Sequence, residues 1–155
     1  MKYFLTVPVV LLFLMACENP ITFVWEVNIT TDLDNYMLSD SASVSIVNRS
    51  EEPVDVRICD EFPYFNLQRQ VGVEWETVYT GECPGEARFD SIPVGQSRLF
   101  TIDLSVLSDG EEISGTYRIE TILYPGSDRR VRLPITMRIS NTFTITDPDE
   151  GETDS

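Results

Sequence analysis

The feature that most constrains this chain is an alternation of apolar and polar residues at a spacing of two. Ala42-Ser43-Val44-Ser45-Ile46 is the clearest case, with Ala42, Val44 and Ile46 on one side and the serines on the other. Successive side chains of a strand point to opposite faces, so this pattern buries one face and wets the other; a helix cannot do so. The same alternation runs through Trp25, Val27 and Ile29, through Val54-Asp55-Val56-Arg57-Ile58-Cys59, through Phe100, Ile102 and Leu104, and through Tyr117, Ile119, Thr121 and Leu123. Tyr36-Met37-Leu38 reads as a short edge piece, and Tyr64–Gln70 with Val73–Tyr79 as a hairpin about Val71-Gly72. Turn residues interrupt these runs at Asn48-Arg49-Ser50-Glu51-Glu52-Pro53, Pro93-Val94-Gly95-Gln96, Ser108-Asp109-Gly110 and Pro125-Gly126-Ser127-Asp128. Gly81–Ile92 reads as a loop, and Val131–Ile145 as a last long strand with Pro134 at an edge or bulge. The sum is an all-β chain of about seven to nine short strands, the pattern of an antiparallel β-sandwich.

One domain fits the length. Residues 23–145 carry the strand pattern, whereas residues 146–155 hold five acids and no apolar side chain, the composition of a disordered tail. Charge narrows the function. The single lysine is Lys2; beyond it ten arginines face 26 acids, a net charge of 10 − 26 = −16. Such a surface repels phosphate backbones, which argues against nucleic-acid binding. Acidity with arginine in place of lysine resembles proteins of salt-loving organisms, in which excess carboxylate maintains solubility.

The leader Met1–Cys17 has one basic residue and then an apolar run from Tyr3 to Ala16, shorter than the roughly 20 residues that span a bilayer. Its end, Leu14-Met15-Ala16-Cys17, resembles the bacterial lipobox. The resemblance implies a signal peptide over 1–16, cleavage before Cys17 and lipid on the Cys17 sulfur, with residues 17–22 as a tether. Two acyl chains anchor stably where one does not. Five residues, Glu18 to Thr22, reach roughly 17 Å at most, which keeps the domain close to the membrane. Glu18 rather than Asp after the cysteine favours the outer membrane in a cell that has one.

Three stretches resemble the immunoglobulin-like domains of small bacterial lipoproteins: Val44-Ser45-Ile46-Val47-Asn48-Arg49-Ser50 with Pro53-Val54, Leu67-Gln68-Arg69-Gln70-Val71-Gly72 with Trp75, and Ile92-Pro93-Val94-Gly95-Gln96-Ser97 followed by Gly115-Thr116-Tyr117-Arg118-Ile119. The last run looks like a tyrosine corner, in which a buried Tyr hydroxyl ties back to nearby backbone. The pattern also resembles the bacterial intracellular proteinase inhibitor domain. The resemblance covers Tyr36 to Tyr124 and implies an immunoglobulin-like sandwich; no binding residue is carried over with it. An inhibitor would act through an exposed loop, for which Gly81–Ser91 and Ser105–Ser114 are the candidates.

Chemistry-bearing residues are few. Cys59 and Cys83 are the other two thiols, and in an exported chain they are expected to pair, closing a loop of about 25 residues. The sequence holds no histidine, which removes Ser-His-Asp and Cys-His catalysis and His-ligated zinc. Gly95-Gln96-Ser97 is no nucleophile elbow, because Leu99 stands where glycine is required. Glu74 and Glu76 share a strand face and read as a solvated pair. Asp32-Leu33-Asp34-Asn35 and Asp147-Pro148-Asp149-Glu150-Gly151 offer oxygen ligands but lack the closing acid of a calcium loop. No metal, cofactor or catalytic residue is expected. The sequons at Asn28 and Asn48 read as turn chemistry. Phe62, Tyr64 and Phe65, just after Cys59, form a possible contact patch; the plainer reading packs at least two of them under the bridge, and Trp25 and Trp75 are expected in the core. The chain therefore reads as a non-catalytic, membrane-tethered module of the cell envelope. Its partners are the membrane, through Cys17, and an envelope protein or component.

Overall fold

The computed structural model describes residues 24–59, 62–83, 85–107 and 113–147; the expected signal peptide, Cys17, the expected tether and the residues from Pro148 onward lie outside them. Among the described residues the chain forms twelve strand segments: β1 (Val27–Thr31), β2 (Asn35–Met37), β3 (Ser41–Asn48), β4 (Val54–Cys59), β5 (Phe62–Pro63), β6 (Phe65–Val71), β7 (Glu74–Thr80), β8 (Ala87–Ile92), β9 (Ser97–Asp103), β10 (Gly115–Thr121), β11 (Leu123–Pro125) and β12 (Phe143–Thr146). The fold is all-β, with single 3₁₀ turns at Leu104–Leu107 and Ile135–Met137.

One layer is the antiparallel sheet β1-β3-β9. The other contains β2-β12-β10-β6-β7, in which β2 runs parallel to β12 and the remaining pairs are antiparallel. Strand β4 continues that layer, because β4 and β6 lie antiparallel to successive parts of the same run, β11 and β10. Between them the chain makes an excursion that carries Cys59 and β5, held by Arg57 N donating to Ile122 O and Tyr64 N donating to Arg57 O. Such interruptions split long runs into pieces, which is why the segments outnumber the apolar runs of the sequence.

Inner-face residues of every sheet meet in one core: Ala42, Val44 and Ile46 from β3, Phe100 and Ile102 from β9, Leu67 from β6, Tyr117 and Ile119 from β10, Val54 and Val56 from β4, and Phe143 and Ile145 from β12. The Tyr117 hydroxyl donates to the Ile113 carbonyl, the tie expected of a tyrosine corner. Tyr36 stands edge-on to Phe143, 5.4 Å between ring centres. At the β6–β7 turn Gly72 has φ 63°, the left-handed backbone that a two-residue hairpin loop requires.

Three expectations are corrected. The segment Gly81–Ile92 is not all loop. Its second half is β8, paired with β4 along its whole length from Val54↔Ile92 to Cys59↔Ala87. The segment Val131–Ile145 is not one strand. Pro134, which offers no N–H to a ladder, precedes the Ile135–Met137 turn; single bridges follow at Ile139 and Ser140, and a paired strand resumes at Phe143. Trp75 is not in the core; it lies half-buried on the outer face of the β7-β6-β10 sheet beneath the Arg118 guanidinium, 4.2 Å from the ring centre. Trp25 packs against the core as expected.

Candidate functional site

Strand β9 ends its sheet: it pairs with β3 on one side, and among the described residues no strand pairs with the other. Strand β8, next in the chain, belongs to the opposite layer through β4. The two leave the Pro93–Gln96 turn and diverge, so the sandwich is open along this side. The turn is fixed by Asn48, which is fully buried. Its Nδ2 donates to Glu52 O and to Ile92 O, both at 2.9 Å, and its Oδ1 accepts from Ser50 N at 2.9 Å. Its backbone accepts from Gly95 N and donates to Gln96 O. One asparagine therefore closes the β3–β4 turn and holds the β8–β9 turn against it; Gly95, at φ 73°, supplies the left-handed backbone. These contacts occupy both Nδ2 hydrogens of Asn48 inside the protein, which gives the second sequon a structural role.

Between β8 and β9 lies a slot of about 490 Å³ lined by Ile58, Arg88, Phe89, Asp90, Arg98 and Phe100. The registers explain its lining. Arg98 and Phe100 stand opposite inward-facing Ile46 and Val44, while Arg88 and Asp90 stand opposite inward-facing Ile58 and Val56. Charges thus point inward on both open strands, one of the devices that stops free sheet edges from pairing with each other. Arg98 Nη2 lies 2.6 Å from Asp90 Oδ2 and spans the two layers. That oxygen is buried without a well-directed hydrogen bond, so the contact is an ion pair rather than a locked hydrogen bond. Arg88 has no ion-pair partner among the described residues. Two guanidiniums against one carboxylate make the slot locally positive in a strongly acidic chain.

On the outer face beside it, Asp55 is 1% exposed and paired to Arg129, with Nε 2.5 Å from Oδ2. Arg129 also covers the Phe89 ring at 4.6 Å, and Phe89 meets Tyr124 edge-on. This pairing neutralises a buried carboxylate on the outer face of β4.

Further along β9 the expected disulfide joins Cys59, at the end of β4, to Cys83. A second cavity of about 250 Å³ sits beside it, lined in part by Phe62, Pro63, Tyr79, Thr101, Ile102 and Val106. The three aromatics of the expected contact patch separate here. Phe62 is 57% exposed at the rim, Tyr64 is half-buried with Arg57 over its ring at 5.1 Å, and Phe65 is 8% exposed and packs on Tyr79 in the core. Phe62 and Tyr64 are the more accessible of the three, while the alternation of β6 turns Phe65 inward, where it forms part of the cavity wall.

Other candidates have local roles. Glu74 and Glu76 are exposed on β7. Asp32 Oδ1 accepts from the Tyr36 hydroxyl at 2.6 Å and from Ser43 N at 2.8 Å; the first of these does most to hold its carboxyl below the ordinary aspartate value. Oδ1 of Asp32 thus serves the turn. Of the two loops considered for inhibition, the first loses Ala87–Ser91 to β8, and the second begins in the Leu104–Leu107 turn and returns at buried Ile113. Asn48 was legible as a turn residue, but neither its link to the β8–β9 turn nor the slot stood out in the sequence. The available signal was the pair of inward-phase charges in Arg88-Phe89-Asp90 and Arg98-Leu99-Phe100.

No family model matches the chain, and no curated protein matches it. Among solved structures, one similar chain is a β-glucosidase from Erythrobacter marinus, at 12% identity and a TM-score of 0.40, over 80% of this chain and 16% of that one.

Proposed function

We propose that this chain is an extracytoplasmic lipoprotein, cleaved before Cys17 and lipidated there, whose β-sandwich is a non-catalytic binding module of the cell envelope. The observation that carries the reading is the Cys59–Cys83 disulfide. Such a bond belongs to an oxidising compartment, and the Leu14-Met15-Ala16-Cys17 leader supplies the route there. With two of the three cysteines bonded to each other, Cys17 is left for lipid. The binding role rests on the open side of the sandwich, where the edge of β9 away from β3 has no strand partner among the described residues and two cavities adjoin it. The chemistry of the described residues favours binding over catalysis: the buried acid Asp55 is neutralised by Arg129, and Glu74 and Glu76 lie in solvent.

Metabolic labelling with palmitate and fractionation of cells expressing the full chain test the reading. Wild type should carry label and sediment with membranes, and Cys17→Ser should lose the label and be released. Unlabelled wild-type protein in the cytosol, with Cys59 and Cys83 as free thiols, would refute it.

A further inference from the structure

We infer that the slot beside β9 binds an extended segment of a partner protein, added as a strand along the free edge of β9, with an acidic and an apolar side chain two residues apart facing into the slot. The inference rests on the binding-module reading above and names the chemistry of its partner.

Three observations define the occupant. The unpaired edge of β9 offers backbone donors and acceptors, which an extended peptide satisfies in strand addition. Side chains of an added strand keep the facing of their neighbours on β9, and residues two apart share a face. On β9 the inward-facing neighbours are Arg98 and then Phe100, so the slot presents a cation followed by an aromatic floor completed by Ile58. An added residue beside Arg98 therefore meets a guanidinium, and the next on that face meets Phe100 and Ile58.

The charge balance selects an acid. Arg98 is partly engaged by Asp90, while Arg88 across the slot has no ion-pair partner among the described residues. A ligand carboxylate joins two guanidiniums and one carboxylate and leaves the group neutral. A ligand cation would face both arginines with one carboxylate to answer them. Screening limits the repulsion of acids elsewhere on the chain to about 8 Å at physiological ionic strength. Toward the far end of β9, from Thr101 onward, Phe62 and Pro63 of β5 lie against the strand, so the segment seats along Ser97–Phe100.

The test uses the full mature chain in detergent and an array of heptapeptides with Val at one position and Asp, Arg or Ser two residues away. The Asp–x–Val set should bind about fivefold to tenfold more tightly than the Ser set, and the Arg set should be weakest. Amide resonances of Ser97–Phe100 should shift on titration with an Asp–x–Val peptide. Arg88→Glu, an exposed substitution, should reverse the preference without changing thermal melting. Equal binding of all sets, preference for Arg, shifts confined to other strands, or an unchanged preference in Arg88→Glu would overturn the inference. Self-association through the same amides without peptide would overturn it in favour of a second copy. Palmitate labelling is read separately, so a failed array leaves the tethered module standing, whereas loss of labelling in wild type removes the reading beneath both.

Discussion

Asn48 provides the sharpest test of how this fold is held. Its side chain makes three hydrogen bonds of 2.9 Å at a position without solvent exposure. Asn48→Ala removes all three. A net hydrogen bond is worth about 1 kcal/mol, and each buried group left without a partner costs about 1–3 kcal/mol. Ile92 O and Ser50 N are stranded in buried surroundings, whereas Glu52 O lies near the surface of its turn and recovers water. The expected loss is about 3 kcal/mol, a large part of a typical total stability of about 5–15 kcal/mol. Asn48→Asp is the discriminating variant. It keeps an acceptor for Ser50 N but turns the donor that served two carbonyls into a third oxygen, and it buries a charge. It should cost about 1–2 kcal/mol more than alanine at pH 7. Burial among acceptors raises the folded pKa of such a carboxyl above the ordinary value of about 3.9. The native state then holds the proton more tightly than the unfolded chain between those two values, so this destabilisation is complete above the raised pKa and shrinks as pH falls toward about 4. Urea unfolding followed by circular dichroism at pH 7 and pH 4.5 measures both effects. A cost below about 1 kcal/mol for alanine, or aspartate as stable as alanine at pH 7, would refute the argument.

Replacing both Cys59 and Cys83 by alanine should destabilise the domain by about 3.5 kcal/mol from loop entropy, plus about 1 kcal/mol for the sulfur removed from buried Cys59, as read by urea unfolding of oxidised wild type against the double variant. Tyr117→Phe should cost about 1–3 kcal/mol, because the Ile113 carbonyl loses its buried donor while the ring packing survives; a thermal melt with unchanged β-sheet circular dichroism measures it. The Asp32 carboxyl should titrate below its ordinary value of 3.8 in an NMR pH series. The stability it adds is present above that value and is lost as pH falls through the lowered one. Tyr36→Phe, which removes the hydrogen bond chiefly responsible, should return it toward 3.8.

The sequence alone determined which side of each strand faces inward. Ala42, Val44 and Ile46, Phe100 and Ile102, and Tyr117 and Ile119 are all buried as their alternation requires, because facing is a local property with a period of two. The Cys59–Cys83 bond was expected from the leader-like start of the chain, and the Tyr117 corner from a strand signature. Partnership was not legible, because it is set by contacts between residues far apart in the chain. Nothing in Gly81–Ile92 says that Phe89 stands opposite Arg57, nor that a run continuous in spacing from Tyr117 to Leu123 is broken by Ile122 and shared between β6 and β4. Trp75 went to an unexpected side for the same reason: a hydrophobic residue is buried only where another layer covers it. The slot is the plainest case. Its charges occupy inward positions, which periodicity alone would assign to a core, and only the divergence of β8 and β9 into opposite layers leaves that core open at one side.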